Sequence, residues 1–265
     1  MNNINELILH LLLGFVQGIT EPLPISSSGH MVIFEYFFNI DFSDLNFKIF
    51  VNLASFIAII IFYRKFLKEI IKGFFSYLFK KDISNKQEFL YVIYVFIACI
   101  PSAIFGLIFK NIIDNYLSNI LSVSLSLFFT SIILFIISKS KNNNNNLNFK
   151  NSLIIGSYQI IGLIPGISRS GITTFGGINS KLSIDKALRF SFMMYLPTSL
   201  GALILSIPDN NIFSNFNSLS LTAFLSSFIG TYIGIHLFLK YINKNTFKYF
   251  SLYLFLLSLL LFFII

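Results

Sequence analysis

Two short polar segments interrupt an otherwise apolar sequence, and their side chains suit proton transfer and phosphate binding. The first, GFVQGITEPLPISSSGH (residues 14–30), combines Glu21 and His30 with three consecutive serines. A carboxylate and an imidazole can move protons, and a serine hydroxyl can act as a nucleophile once it is activated. The second, IGLIPGISRSGITTFGG (residues 161–177), places Arg169 among hydroxyl groups, which suits binding of a phosphate or a carboxylate.

Glu21 shares a helical face with His10, Gly14 and Gln17, because the successive spacings are four, three and four residues. A carboxylate inside a membrane is costly, so by default it marks a site that faces a cavity. Two simpler interpretations stay open. Glu21 would end a helix and reach the headgroups, and His30 would be a hydrogen-bonded packing residue. The serines beside them favour a functional role for both.

Arg169 is the only Lys or Arg residue in either polar segment, and burying it requires an anionic partner. The predicted donors around it are Ser168, Ser170, Gly171 and Thr173. The turn also predicts the start of a helix, whose N-terminus attracts anions. The alternative is that Arg169 pairs only with Glu21 and holds two parts of the chain together, and an unliganded protein can combine both roles.

Three further polar residues are weaker candidates. His10 lies on the helical face of Glu21 and would support the site. Glu35 would either support the site or approach the membrane interface. His236, two residues after Gly234 in an apolar run, is interpreted as a packing residue.

The composition excludes a water-soluble domain. Of 265 residues, 55 % are hydrophobic and 11 % charged, with a mean hydropathy of +0.78, whereas soluble domains carry about 25 % charged residues. The sequence therefore predicts an all-α polytopic membrane protein in which the net charge of +8 reflects loop charges rather than nucleic-acid binding. Cys99 is the only cysteine, which excludes an internal disulfide and a thiolate metal cluster.

Six apolar stretches are long enough to cross a hydrocarbon core of about 30 Å. They are residues 47–63, 89–109, 119–138, 187–207, 219–239 and 247–265. Two more apolar regions, 7–38 and 152–178, are broken near their middles by Pro, Gly and Ser. We predict that each forms a re-entrant helical hairpin with arms about half a membrane long, because broken backbone at depth requires cover by protein or a water-filled cavity.

The order of these segments indicates an internal repeat. Each half contains one broken segment followed by three spans, and an Asn-rich cytoplasmic loop around residues 142–146 joins the halves, about 1–140 and 150–265. Shifting the first half by 142 positions aligns the polar segments without gaps. The aligned identities are Gly14 with Gly156, Gln17 with Gln159, Ile25 with Ile167, Ser26 with Ser168, Ser28 with Ser170, and Gly29 with Gly171. Because three spans is an odd number, the halves are predicted to be inverted within one membrane domain.

The loop charges test this topology. Loops on one predicted side hold 16 of the 19 Lys and Arg residues, the opposite side holds Lys48 and Lys110, and Arg169 is the remaining one. The positive-inside rule then places the basic loops in the cytoplasm and both termini outside. The hairpin with Glu21 and His30 opens outward, so we expect the active site on the outer face.

The motifs GxxQGxTExxPxSSSGH and PGxSRSGxT resemble those of the undecaprenyl-diphosphatases of the bacitracin-resistance type, which are bacterial integral membrane phosphatases. The resemblance extends over the whole chain through the pattern of spans. It implies hydrolysis of undecaprenyl diphosphate to the monophosphate and inorganic phosphate, which recycles the lipid carrier for peptidoglycan and other envelope polymers. It also implies interlocked inverted repeats and dependence on a divalent cation, Mg²⁺ or Ca²⁺.

The resemblance also assigns roles to residues. Glu21, Ser27, His30 and Arg169 would be catalytic, and the phosphate would bind Ser168, Arg169, Ser170 and Thr173, to which we add Gly171 and Ser26. Gln17 stands where many members of the family carry a glutamate. A two-carboxylate metal site is therefore in doubt, and the predicted metal ligands are Glu21 and the amide oxygen of Gln17.

Two questions stay open at this point. Either Ser27 attacks the phosphorus, or His30 activates a water molecule. The main alternative function is a transporter, such as a flippase for an isoprenyl phosphate, because inverted repeats and an anion clamp also suit a carrier. The expected partners are the isoprenyl lipid and the bilayer of the bacterial cytoplasmic membrane, without nucleic acid, and a homodimer is left open.

Overall fold

The computed structural model describes residues 3–38, 45–141, 143–206 and 218–265, and these ranges are helical without a strand. The helices are α1 (Asn3–Thr20), α2 (Ser27–Phe38), α3 (Leu45–Phe62), α4 (Arg64–Lys80), a 3₁₀ turn (Ile83–Asn85), α5 (Lys86–Tyr116), α6 (Ile120–Ser138), α7 (Phe149–Ile161), α8 (Arg169–Asn179), α9 (Ile184–Ser206), α10 (Ser218–Tyr241) and α11 (Lys244–Ile264). The predicted all-α class is confirmed.

The predicted spans coincide with long apolar helices. Within the described ranges, α5, α6, α9, α10 and α11 are each long and apolar enough to cross a membrane. The bent pair formed by α3 and α4 brings the number to six. Ile207, the predicted end of the fourth span, lies outside the described residues.

Two features differ from the sequence prediction. The region after the first span, expected to be a loop, forms helix α4, bent by 75° from α3. Helix α1 has 18 residues, or about 27 Å at 1.5 Å per residue, which exceeds half a membrane. The reason is that the apolar run before Gln17 contains no proline and packs along α10.

Both broken segments end in a serine that caps the following helix. The break between α1 and α2 contains Pro22 and Pro24 and ends at Ser26, whose hydroxyl accepts a hydrogen bond from the Gly29 amide at 3.2 Å. In the second segment the hydroxyl of Ser168 accepts from the Gly171 amide at 3.1 Å. A serine at this position satisfies an amide that has no partner within the helix. The turns therefore start α2 and α8 in the same way.

The contacts of α1 and α7 also match. Helix α1 packs on α10, and α7 packs on α5. A Cβ atom on Gly14 would lie 2.2 Å from the Ala223 carbonyl oxygen, and one on Gly156 would lie 2.3 Å from the Ala98 carbonyl oxygen. Each first arm of a hairpin therefore packs against a span of the opposite half at a glycine. These matches support the repeat, and the inverted orientation of the halves stays a prediction.

The protein core lies where the hairpins meet the spans. Phe190, Met194, Leu127 and Leu134 are almost fully buried between α9 and α6 and their neighbours. Large apolar side chains on the outward faces are exposed, as in Ile108 at 67 %. In a membrane this outer surface contacts acyl chains, so the buried polar groups of the hairpins lie inside the protein.

The close contact of α1 with α10 predicts a large effect of a single methyl group. A Cβ atom on Gly18 would lie 2.2 Å from the Ser227 carbonyl oxygen, so Gly18→Ala should destabilise the protein by about 1–3 kcal/mol through overpacking. The matched control is Gly201→Ala, because a Cβ atom there meets nothing within 4 Å. Thermal unfolding in detergent measures both variants. Equal stability of the two would contradict the packing described for α1.

Candidate active site

An ion pair joins the two polar turns. Glu21 lies in the turn between α1 and α2, and Arg169 is the first residue of α8. The Arg169 Nη2 atom donates a short hydrogen bond to Glu21 Oε1, and the Glu21 side chain is only 3 % exposed. Glu21 therefore faces the protein interior and does not reach the headgroups. The structure brings together the two charged residues that the sequence singled out.

The second oxygen of Glu21 accepts two more hydrogen bonds. The Ser27 hydroxyl donates to Glu21 Oε2 at 2.5 Å, and Gln17 Nε2 donates to the same atom at 2.9 Å. Gln17 Nε2 also donates to Asn52 Oδ1 on α3 at 2.8 Å. These three donors hold the carboxylate in one orientation, with the Ser27 hydroxyl within hydrogen-bond distance of it.

Arg169 is held on a second side by an aromatic ring. Its Cζ atom lies 4.3 Å from the centre of the Tyr195 ring on α9, a distance at which a guanidinium is attracted to the ring face. A small pocket opens beside the pair. It is lined by Glu21, Ile59, Arg169, Ser170, Ser191, Phe192 and Tyr195. The ion pair and the ring restrict the plane of the guanidinium, so they also restrict the direction in which its remaining N–H groups can donate to a ligand.

The predicted phosphate-binding hydroxyls hold the start of α8. Ser168 caps the helix, and its hydroxyl lies 3.3 Å from that of Ser170. Ser170 donates to the Leu23 carbonyl oxygen at 3.2 Å, which links α8 to the first turn. Thr173 donates to the Arg169 carbonyl oxygen at 2.7 Å and lies 2.6 Å from the Ser191 hydroxyl. Arg169 and Ser170 line the pocket, whereas Ser168 and Thr173 are buried in the scaffold.

Gly171 and Ser26 are engaged in the caps of α8 and α2. The Gly171 amide donates to Ser168, and the Ser26 hydroxyl accepts from Gly29. Ser26 has a positive φ of 68°, a conformation that a non-glycine residue adopts at a cost of order 1–3 kcal/mol. This backbone turn places Ser27, the next residue, against Glu21.

His30 contacts other groups. Its Nδ1 atom lies 2.8 Å from the Ser26 carbonyl oxygen, and its Nε2 atom lies 2.7 Å from the Tyr253 hydroxyl on α11. Because a carbonyl oxygen only accepts, Nδ1 carries the proton and Nε2 accepts from Tyr253. Both ring nitrogens are therefore occupied, and neither forms a hydrogen bond with Ser27 or Glu21 in the described residues.

The weaker candidates lie outside this cluster. Glu35 pairs with Lys48 at 2.8 Å, and His10 Nδ1 lies 2.8 Å from the Glu6 carbonyl oxygen. His236 packs edge-on against the Phe62 ring with 6.4 Å between centroids, which agrees with the interpretation of a packing residue.

Several residues of the site were not predicted. They are Asn52, Tyr195, Ser191 and Tyr253. Asn52 could have been predicted from the sequence, because it is a polar amide side chain in the middle of an apolar span. The other three are common residues of membrane helices, and their roles depend on which helices pack around the turns.

The donor set fits a divalent cation only in part. Among the described residues no group of three His, Cys, Asp or Glu side chains lies close enough to hold a metal. Glu21 supplies one carboxylate, and Gln17 turns its amide nitrogen toward that carboxylate. Mg²⁺ commonly binds one or two carboxylates together with substrate phosphates. The residues thus fit an ion that takes most of its ligands from a bound diphosphate.

Comparison with known proteins identifies relatives over nearly the whole chain. The family model described as bacitracin resistance protein BacA matches residues 10–260. An undecaprenyl-diphosphatase of Thermosipho africanus is 40 % identical over 258 residues, covering 96 % of this chain and 99 % of the relative. Undecaprenyl-diphosphatase 2 of Bacillus thuringiensis is 37 % identical over 258 residues and 96 % of each chain. The undecaprenyl-diphosphatase of Acholeplasma laidlawii is 37 % identical over 268 residues, covering 96 % of this chain and 95 % of the relative.

Proposed function

The chain belongs to the bacitracin resistance protein BacA family, and we propose that it hydrolyses undecaprenyl diphosphate to undecaprenyl phosphate and inorganic phosphate. Relatives with this enzyme's name match 96 % of the chain. The observation that carries the proposal is the contact of Glu21 with both Ser27 and Arg169. This contact supports the roles of Glu21 as proton acceptor, Ser27 as nucleophile and Arg169 as the cation that binds phosphate. A carrier needs the cation but has no use for the nucleophile and its base.

Arg169 binds the terminal phosphoryl group of the substrate. Its guanidinium is planar and permanently charged, so it can donate two parallel hydrogen bonds to phosphate oxygens. In the water-poor interior of the protein such a contact is stronger than in bulk water. The phosphate competes with Glu21 for Arg169, while Tyr195 keeps the guanidinium in its plane. Stabilisation of charge on the transferred phosphoryl group is the main catalytic term for this chemistry.

Ser27 attacks the terminal phosphorus in this mechanism. Its proton passes to Glu21 as the new oxygen–phosphorus bond forms, and the bond to the bridging oxygen breaks to release undecaprenyl phosphate, which takes that proton from Glu21. Water then attacks the phosphoserine while Glu21 accepts a proton from the water, and Glu21 returns this proton to the Ser27 oxygen as inorganic phosphate leaves. The 2.5 Å contact of Ser27 with Glu21 supports this route over activation of water by His30, whose ring is bonded to Ser26 and Tyr253.

A divalent cation would bind Glu21 and the substrate diphosphate. When bound, it supplies additional positive charge that offsets the negative charge of the phosphates. Gln17 donates to Glu21 through its amide nitrogen and so fixes the orientation of the carboxylate.

Trapping of the reaction intermediate tests attack by Ser27. Rapid quenching with substrate labelled by ³²P at the terminal phosphate should yield labelled phosphoserine at residue 27. Ser27→Ala should lose both the label and at least about 100-fold in rate, because the nucleophile is absent. Ser28→Ala is the matched control, since Ser28 is exposed and contacts only Ser26 at 3.3 Å among the described side chains, and it should keep most of the activity. Full activity of Ser27→Ala without a labelled serine would favour attack by water.

We also propose that the chain lies in the bacterial cytoplasmic membrane with its active site open to the outer face. The support is the concentration of Lys and Arg in the predicted cytoplasmic loops.

Thiol labelling of intact cells tests this orientation. In a Cys99→Ala background, Asn115→Cys at the end of α5 should react with an impermeant reagent, and Asn144→Cys in the loop between the halves should react only after lysis. Both side chains are exposed, so access to the reagent depends on the side of the membrane. The reverse pattern would contradict the proposed orientation.

A further inference from the structure

Helix α4 connects α3 to α5 and is bent away from α3. It follows α3 after Tyr63 with a bend of 75°, and α5 starts a few residues after it. Its 17 residues extend over about 25 Å. Phe66, Phe74 and Tyr77 of α4 all contact Phe89 or Tyr91, so α4 lies across the first turns of α5.

One face of α4 packs on the protein. Ile70 and Gly73 are buried, and the rings of Phe74 and Tyr77 contact Phe89 of α5 with centroid distances of 5.1 and 4.8 Å. This face fixes how the helix is rotated about its axis.

A second face is apolar and uncovered by the described residues. Ile71, Phe75, Leu78 and Phe79 have spacings of four, three and one residue, so they lie on one side of the helix. They are 49, 49, 47 and 75 % exposed. Contiguous exposed apolar side chains of this size mark a surface that contacts lipid or protein.

A third face is basic. Lys65, Lys68 and Lys72 follow spacings of three and four residues, and all three are exposed. Arg64 and Lys80 add positive charge at the ends of the helix, and Glu69 is the one acidic residue within it. The basic face adjoins the apolar face, an arrangement typical of helices that lie in the headgroup layer.

We propose that α4 is an interfacial helix that binds anionic phospholipids of the leaflet on its side of the membrane. The exposed aromatic and aliphatic side chains insert among the acyl chains, and Lys65, Lys68 and Lys72 bind lipid phosphates. The bilayer is the occupant that fits, because the two flanking spans hold the helix at the membrane boundary and its charge complements anionic headgroups. This surface is separate from the cluster around Glu21 and Arg169.

Spin labels on full-length protein in nanodiscs of phosphatidylcholine and phosphatidylglycerol test the depth of α4. In a Cys99→Ala background, a label at Leu78→Cys on the apolar face should be accessible to oxygen and protected from a water-soluble nickel chelate. A label at Lys65→Cys on the basic face, about 140° away around the helix axis, should show the reverse. Equal access of the chelate to both labels would overturn the insertion of α4.

The headgroup assignment has its own test. The association of spin-labelled phosphatidylglycerol, relative to spin-labelled phosphatidylcholine, should fall at least about threefold in the triple variant with Lys65, Lys68 and Lys72 changed to Gln. The control triple variant changes Lys139, Lys141 and Lys150 to Gln, which removes the same charge from the same predicted side. An equal fall in both would overturn specific binding by α4. The lipid association is measured without substrate, so its outcome does not depend on the proposed phosphatase activity.

Discussion

The cost of placing charge inside a membrane governs this structure. A carboxylate and a guanidinium at depth are stable only when each has partners, because neither water nor lipid supplies them there. Glu21 accepts from Arg169, Ser27 and Gln17, and Arg169 also stacks on Tyr195. The pair therefore requires both polar turns to meet at one point. A site in which charged groups are held by protein rather than by water also suits phosphoryl transfer.

Positioning that pair requires broken helices, and broken helices require cover. Irregular backbone is tolerated in a membrane only within protein or a cavity. Ser26 and Ser168 cap the second arm of each hairpin, so one backbone amide freed by each break has a side-chain partner. Close contacts at Gly14 and Gly156 seat the first arms against α10 and α5. These caps and contacts occur in both halves, although Glu21 and Ser27 belong to the first polar segment and Arg169 to the second.

The sequence alone identified a site residue where the free-energy cost of burying that residue can be judged from its neighbours in the chain. Charge and proline in apolar runs located both turns, and the need for a counter-charge raised the pairing of Glu21 with Arg169 as one of two interpretations. Tyr195 and Tyr253 were out of reach, because their roles depend on helix packing. Helix α4 was missed because its charge suggested a loop, whereas its apolar face has helical spacing. The amide oxygen of Gln17 stays a predicted metal ligand, while its amide nitrogen donates to Glu21.

We propose that the planar guanidinium of Arg169, held by Glu21 and Tyr195, binds the phosphate that is removed from the substrate. Release of inorganic phosphate from undecaprenyl diphosphate by purified protein in detergent tests it most directly. Arg169→Lys keeps the positive charge but loses the two parallel N–H donors of the guanidinium, so its activity should fall at least about 100-fold. Arg64→Lys is the matched control on an exposed arginine, and it should act like the wild type. Normal phosphate release by Arg169→Lys would contradict the account.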